Sequence, residues 1–303
     1  MKEILVISGK GGTGKTSLVA CFASLARNSL LADCDVDAAD LHLVLNSRPV
    51  SSQDFFGGMK ARIIPEKCTE CGICLDICRF DAVINENHNE NKECPGYRID
   101  TIGCEGCGVC AHYCPEEAIV LDQPKCGDLY LSESEYGPFV HARLSIAAEN
   151  SGKLVAYVRK LSAEIARRES LEYIIIDGPP GIGCPVISSM TGVDIVAIVT
   201  EPTISGISDL RRVEELSRHF GVPATVIINK YDINRSVTDE IVEYCESNKI
   251  IVLGKIPYDI AFTKAQVARV GLLEYTRGDL SRRIISIWEE LLKAIEEPMG
   301  AVK

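Results

Sequence analysis

The sequence predicts an α/β protein: a doubly wound, mostly parallel sheet with a small cysteine-rich α+β module inserted into it. Three observations carry that expectation. Short β-branched runs alternate with amphipathic helical stretches along most of the chain, as strands covered on both faces by crossover helices do. The first run, Lys2–Ser8, leads directly into GKGGTGKT at residues 9–16, a turn of the form G-x-x-x-x-G-K-[ST]. Of 14 cysteines, nine fall between Cys68 and Cys114, where helical periodicity vanishes.

The elements follow in order. After the strand at Lys2–Ser8, Thr16–Arg27 carries apolar residues at helical spacing, and Leu30–Ala32 reads as a second buried strand. From about Met59 to Gly127, Cys, Gly, Asn and acidic residues dominate. The alternation then resumes, with strands expected at Tyr173–Ile176, Ile195–Thr200, Ala224–Asn229 and Ile250–Ile256. Helices are expected near Ala147–Arg168, Ser205–Phe220 and Val237–Ser247. The expected organisation is therefore a discontinuous nucleotide-binding domain, residues 1–59 and 128–303, around an insert at 60–127. Within the insert the spacing of Cys68–Cys78 recurs as Cys104–Cys114, a duplicated unit with too few copies for a solenoid.

The last predicted helix, Leu280–Glu297, gathers Ile284, Ile287, Trp288, Leu291, Leu292 and Ile295 on one face. A membrane-binding tail is one reading. Glu289, Glu290, Glu296 and Glu297 on the other face would repel anionic lipid, which favours packing on the protein's own core.

Composition excludes some functions. The 303 residues are 46% apolar and 25% charged, and 43 acidic against 32 basic side chains give a net charge of −11. Phosphate-backbone binding needs basic clusters, so nucleic acid is not an expected partner. No apolar run spans a bilayer and Met1-Lys2-Glu3 leads straight into a strand, so neither membrane insertion nor a signal peptide is expected. A cytoplasmic protein is therefore the expectation. In a reducing compartment, clustered thiols read as metal ligands rather than disulfides.

The glycine-rich turn sits where phosphate chemistry requires it, after a strand and at the start of a helix. Gly9, Gly11, Gly12 and Gly14 let backbone N–H groups wrap phosphates without side-chain clash, and the helix N-terminus adds its positive end. Gly11, Gly12, Thr13, Gly14, Lys15, Thr16 and Ser17 form the expected cradle. Lys15 would pair with the β- and γ-phosphates, and the Thr16 hydroxyl would hold Mg²⁺. Asp33 and Asp35, in LADCDVDAAD (31–40), stand at a strand's C-terminal end, where open α/β sheets bind ligands.

Lys10, the second lysine of the turn, makes the sequence resemble the deviant P-loop ATPases: MinD/ParA, Mrp and the nitrogenase iron protein. The resemblance implies an ATP-sandwich dimer, a homodimer or a pairing with a paralogue, in which Lys10 reaches the partner's nucleotide. It gives Asp35 the task of orienting the attacking water, with Asp33 a supporting carboxylate. It makes Asp177, at the end of YIIIDGPPGIG (173–183), the carboxylate that holds Mg²⁺ through water, with Gly178 and Gly181 in a loop that senses hydrolysis. The asparagine of VIINKYD (226–232), Asn229, would read adenine, and Ile256-Pro257-Tyr258-Asp259 would line the base. Asn229-Lys230-x-Asp232 also matches the N-K-x-D of GTPases, so GTP is the competing nucleotide; the doubled-lysine turn favours ATP.

Cys68, Cys71, Cys74 and Cys78 follow C-x2-C-x2-C-x3-C, and Cys104, Cys107, Cys110 and Cys114 repeat it before Pro115. In that bacterial ferredoxin pattern three close cysteines take one [4Fe–4S] cube and the fourth serves the other. The expected sets are Cys68, Cys71, Cys74 and Cys114 for one cluster, and Cys104, Cys107, Cys110 and Cys78 for the second. Zinc is the competing metal, though tetrahedral sites use two spaced pairs. Arg79 departs from the pattern's proline, and Cys94 reads as a spare thiol. With this module the chain resembles, over nearly its whole length, MinD-superfamily ATPases with an inserted ferredoxin domain.

Cys184 stands after Asp177 at the offset of a nitrogenase iron protein cysteine that helps ligate a shared cluster. The matching second position here holds Glu149, so the alternative is a small buried residue before Pro185. The function expected overall is an ATPase that couples MgATP to electron transfer from its two [4Fe–4S] clusters to a redox partner or to metallocluster assembly. The alternative is an iron–sulfur carrier or scaffold of the Mrp kind. A positioning or partition ATPase is a third reading, disfavoured by the acidic balance.

Overall fold

A computed structural model describes residues 1–86, 96–145, 151–268 and 270–296. Cys94, Glu149, Glu297 and the first residues of the helix expected from Ala147 lie outside them. The chain opens with β1 (Lys2–Ser8), α1 (Lys15–Leu25), β2 (Ser29–Asp33), α2 (Leu41–Val44) and β3 (Arg48–Phe56). It continues through β4 (Lys60–Ile63), α3 (Ile73–Ile77), β5 (Val83–Asn85), β6 (Tyr97–Ile99), α4 (Val109–His112) and β7 (Ile119–Asp122). It returns along β8 (Lys125–Ser134), β9 (Gly137–Leu144), α5 (Ser151–Arg168), β10 (Tyr173–Pro180) and α6 (Cys184–Met190). The last third holds β11 (Ile195–Thr200), α7 (Ile204–His219), β12 (Ala224–Asn229), α8 (Arg235–Ser247), β13 (Ile251–Ile256), α9 (Ala261–Ala268), α10 (Leu272–Tyr275) and α11 (Asp279–Glu296).

Two compact units result, one built from Met1–Gln53, Leu129–Arg143 and Ser151–Lys303, the other on Asp54–Asp128. The large sheet runs β13-β12-β11-β1-β10-β2-β9-β8-β3. From β13 to β9 every neighbouring pair is parallel. Its central strands are apolar throughout because helices cover both faces: Ile4 to Ile7, Ile174 to Ile176 and Ile195 to Val199 are all buried.

Three strands of this sheet went unread in the sequence. β3 exposes every residue but Phe55, as an edge strand does, so it carries no alternating signal. β8 and β9 form a hairpin around a two-residue turn at Glu135 and Tyr136. Polar His141 and Ser132 are buried inside it and bonded to each other at 2.9 Å, which disguises the strands as loop.

Helix α11 packs on the core. Ile284, Ile287, Trp288, Leu291 and Ile295 are buried, and the Trp288 ring lies 5.3 Å from that of Phe22 in α1. The membrane-tail reading of this helix therefore loses its apolar face to the protein. No described helix is long and apolar enough to cross a membrane.

The second unit is a pair of two-stranded antiparallel sheets, β4 with β7 and β5 with β6. Each cysteine repeat contributes a strand, a one-turn helix and a strand. The two halves then exchange strands, because β4 of the first pairs with β7 of the second. A small core of Ala61, Ala82, Val83, Ile99, Cys104 and Ile119 holds them together.

Leu291→Ala should lower the unfolding free energy by about 2–5 kcal/mol, the cost of an unfilled core site. Glu296→Ala on the exposed face of the same helix should stay within about 0.5 kcal/mol. Urea denaturation of both variants measures the difference.

Candidate functional site

Parallel strands bring four chain segments to one edge of the large sheet. The C-terminal ends of β1, β2, β10 and β12 deliver the glycine-rich turn, Asp33, Asp177 and Asn229, at the edge where open α/β sheets bind ligands. The turn needs glycine at its last position. Gly14 has φ +88°, and a Cβ there would lie 2.5 Å from the Asn229 amide nitrogen.

Two residues at the end of β12 hold the turn's backbone. The Asn229 side-chain amide donates to the Thr13 carbonyl at 2.7 Å, and Lys230 Nζ donates to the Gly12 carbonyl at 3.0 Å. In a planar trans peptide, C=O and N–H point opposite ways. With those two carbonyls turned toward β12, the N–H groups of Thr13 and Gly14 face away from it, as a phosphate cradle requires. The Thr13 hydroxyl is buried with no hydrogen-bond partner. An unmet donor at this point fits an oxyanion.

Lys15 is the charge centre. Its Nζ lies 2.5 Å from Asp177 and 3.8 Å from Asp35, and the ammonium is nearly enclosed. Burial disfavours its charge, but Asp177, then Asp35 and Asp33, more than offset this and its pKa is raised. Asp33 is fully buried; desolvation and the neighbouring Asp177 hold its pKa well above the usual carboxylate range. Burial pushes Asp35 up to about 6, against the pull of Lys15. Asp33 accepts from the backbone N–H groups of Asp35 (3.0 Å) and Leu41 (3.3 Å). It therefore shapes the segment that presents Asp35 rather than facing a ligand.

The remaining residues expected at this site show particular attachments. The Gly181 N–H donates to the Ser8 carbonyl at 3.1 Å, so its amide is engaged inside the chain rather than free for a phosphate. Asn229 spends its amide on the turn instead of standing open to a base. Asp232 accepts from the Tyr258 N–H at 2.7 Å, which stitches the loop after β12 to the one around Pro257. The Ser17 hydroxyl accepts from Gln266 of α9 at 3.0 Å. Lys10 turns to its own chain: Nζ contacts Glu201 at 2.6 Å, Ser205 at 3.1 Å and Thr203 at 3.3 Å. Glu201 was missed by sequence reading. Its only signal was an acidic residue at a strand's C-terminal end, directly after Thr200 of β11.

For Mg²⁺ the donor set is oxygen-rich, as a hard cation needs. Asp177 and Asp35 flank Lys15, and Thr16 follows it at the start of α1. No three His, Cys, Asp or Glu side chains among the described residues converge as on a single ion. The same holds for the cysteines of the second unit, whose thiols do not gather as on one ion.

The cysteines of the second unit line two separate cavities. Cys68, Cys71, Cys74 and Cys114 border one, and Cys78, Cys104, Cys107 and Cys110 border the other. Backbone N–H groups already point at sulfur: Ala61 and Gly106 donate to Cys104 Sγ at 3.4 Å, and Ala118 to Cys114 Sγ at 3.3 Å. Gly106 must be glycine, since a Cβ would sit 1.9 Å from the Met59 carbonyl oxygen. Soft thiolates with N–H···S support fit an iron–sulfur group. Cys184 is exposed at the first turn of α6, which overturns the reading of a buried residue.

Comparison with known proteins bears on the nucleotide site. The family model described as the CobQ/CobB/MinD/ParA nucleotide binding domain matches residues 4–270. An uncharacterized protein of Methanocaldococcus jannaschii is 32% identical over 299 residues, covering 97% of each chain. An iron–sulfur cluster carrier protein of Pyrococcus abyssi is 25% identical over 148 residues, 44% of this chain and 50% of that one. The fold resembles the septum site-determining protein MinD of Pyrococcus horikoshii, solved with Mg-ADP, at a TM-score of 0.57 and 19% identity, over 98% of this chain and 99% of that one.

Asp35 gives a test in pH. Its folded pKa of about 6 lies above the ordinary 3.8, so the folded state binds the extra proton. Its ionisation then costs stability as pH rises from 3.8, and the full cost is present above about 6. Asp35→Asn should therefore raise the melting temperature of the nucleotide-free protein above pH 6, with the gain shrinking as pH falls toward 3.8. A gain independent of pH across that window would contradict the assignment.

Proposed function

This chain belongs to the CobQ/CobB/MinD/ParA nucleotide-binding family, and we propose that it binds and hydrolyses MgATP as a dimer, coupling hydrolysis to electron delivery from an inserted two-cluster module to a redox partner or to metallocluster assembly. The observation that carries the nucleotide half is the enclosed Lys15 ammonium among Asp33, Asp35 and Asp177, beside the unpartnered Thr13 hydroxyl. Phosphate oxygens reaching the turn compete with Asp177 for Lys15. With Lys15 turned to phosphate, Asp177 would be free to hold Mg²⁺ through water, and that cation would take the place of the ammonium among the carboxylates. The backbone amides of Thr13 and Gly14 and the first turn of α1 take the remaining phosphate charge. Asp35, held by Asp33 at its own N–H, orients the attacking water; in phosphoryl transfer the protein supplies geometry and charge rather than covalent chemistry. Asn229 and Lys230 keep the turn in its cradle shape, and the two loops joined by the Asp232–Tyr258 bond border the base.

The two four-thiol cavities support the redox half. Cys68, Cys71, Cys74 and Cys114 would hold one [4Fe–4S] cluster, and Cys104, Cys107, Cys110 and Cys78 the second; such cubes supply one-electron chemistry at low potential. The amides of Ala61, Gly106 and Ala118 stabilise thiolate charge at Cys104 and Cys114. A second reading is favoured by one observation: the partial similarity to the Pyrococcus carrier protein, which suggests cluster transfer rather than electron transfer. Outside the cysteine module the chain holds no C-x-x-C pair that would carry a bridging, labile cluster.

Protein purified without air should contain about eight irons per chain, four in each of two cubes. Lys15→Ala should abolish ATP hydrolysis and leave the iron–sulfur absorbance intact. Mixed with an apo-acceptor, the protein should keep its iron while MgATP speeds reduction of the acceptor; iron passing to the acceptor without reduction would favour the carrier reading, and zinc in the thiols would remove both.

A further inference from the structure

Lys10 spends all its hydrogen bonds at home. An ammonium has three N–H donors, and here they meet three acceptors on one short segment: Glu201 Oε1 at 2.6 Å, Ser205 Oγ at 3.1 Å and Thr203 Oγ1 at 3.3 Å. That segment is stiff, because the Thr203 hydroxyl also caps α7 by accepting the Gly206 N–H at 2.9 Å. The other Glu201 oxygen accepts from Lys230 at 3.1 Å, and Lys230 in turn donates to the Gly12 carbonyl. One carboxylate is thus shared by two ammonium groups.

We propose that Glu201 is the positioning residue that keeps Lys10 on its own chain, and that its hold on Lys10 sets how readily two copies pair over nucleotide. The inference rests on the nucleotide-dependent dimer proposed above. While Lys10 is bound to Glu201, Ser205 and Thr203 it has no donor left for a second molecule's phosphates. Pairing must first break a charge-assisted bond, and that cost falls on the monomer. The latch can open cleanly, because Lys230 remains on Glu201 when Lys10 leaves and no carboxylate is stranded.

Sedimentation velocity of the full-length protein over a concentration series, with Mg²⁺ and a non-hydrolysable ATP analogue, tests this. Glu201→Gln should pair at a protein concentration roughly tenfold lower than the unmodified chain, equivalent to about 1.4 kcal/mol. Glu201→Asp, which keeps the charge on a shorter arm, should fall between them. The gain should vanish in Glu201→Gln/Lys10→Ala, and Lys230→Met should not reproduce it. An unchanged or raised midpoint in Glu201→Gln, or a gain that survives loss of Lys10, would overturn the latch alone. If the unmodified chain forms no dimer at any concentration, the pairing itself is wrong and the latch falls with it.

Discussion

One enclosed ammonium organises the nucleotide-binding unit. Asp33 and Asp177 face each other in register on neighbouring strands β2 and β10, almost wholly out of water, where like charges one strand apart repel strongly. Lys15 makes that pairing tolerable, and in doing so ties the helix that starts the first crossover to the ends of both strands. Removing one partner of such a buried set typically costs about 3–5 kcal/mol, because the rest is left uncompensated. The same balance explains why Asp33 is used to shape backbone: with its oxygens committed to the Asp35 and Leu41 amides, it is the carboxylate least available to a ligand.

How much of this was legible in the sequence depended on the kind of signal. The strands β1, β2, β10, β11 and β12 were readable because burial on both faces demands unbroken apolar runs, while β13, a partly buried edge strand, was legible from its run of Ile251, Val252 and Leu253. β3, β8 and β9 were not, since an edge strand and a hairpin with an internal Ser132–His141 bond obey neither pattern. Motif spacing located Lys15, Asp35, Asp177 and Asn229, and parallel strands brought them to one edge. Spacing could not say what each would touch. Asn229 holds the Thr13 carbonyl, and Lys10 bonds within its own chain to a glutamate nearly two hundred positions away, a partnership that only the adjacency of β1 and β11 creates.

The cysteine module was legible in a different way. Its repeat is local, and local repetition survives in sequence even when the tertiary pairing that gives it meaning does not. The division of eight thiols between two cavities depends on strand exchange between the halves, with β4 joining β7 and β5 joining β6. That exchange is driven by burial of Ala61, Val83, Ile99 and Ile119, residues with no motif of their own. The exposure of Cys184, by contrast, had no sequence signal beyond a glycine before it and a proline after it.

The short helices α3 and α4 have a mechanical consequence. Each carries the third thiol of one cavity and, within a single turn, hands the chain to a thiol of the other: Cys74 to Cys78, and Cys110 to Cys114. The two cavities therefore share backbone at two places. Any group that fixes the third thiol of one cavity thereby fixes backbone that the other cavity uses, within one helical turn.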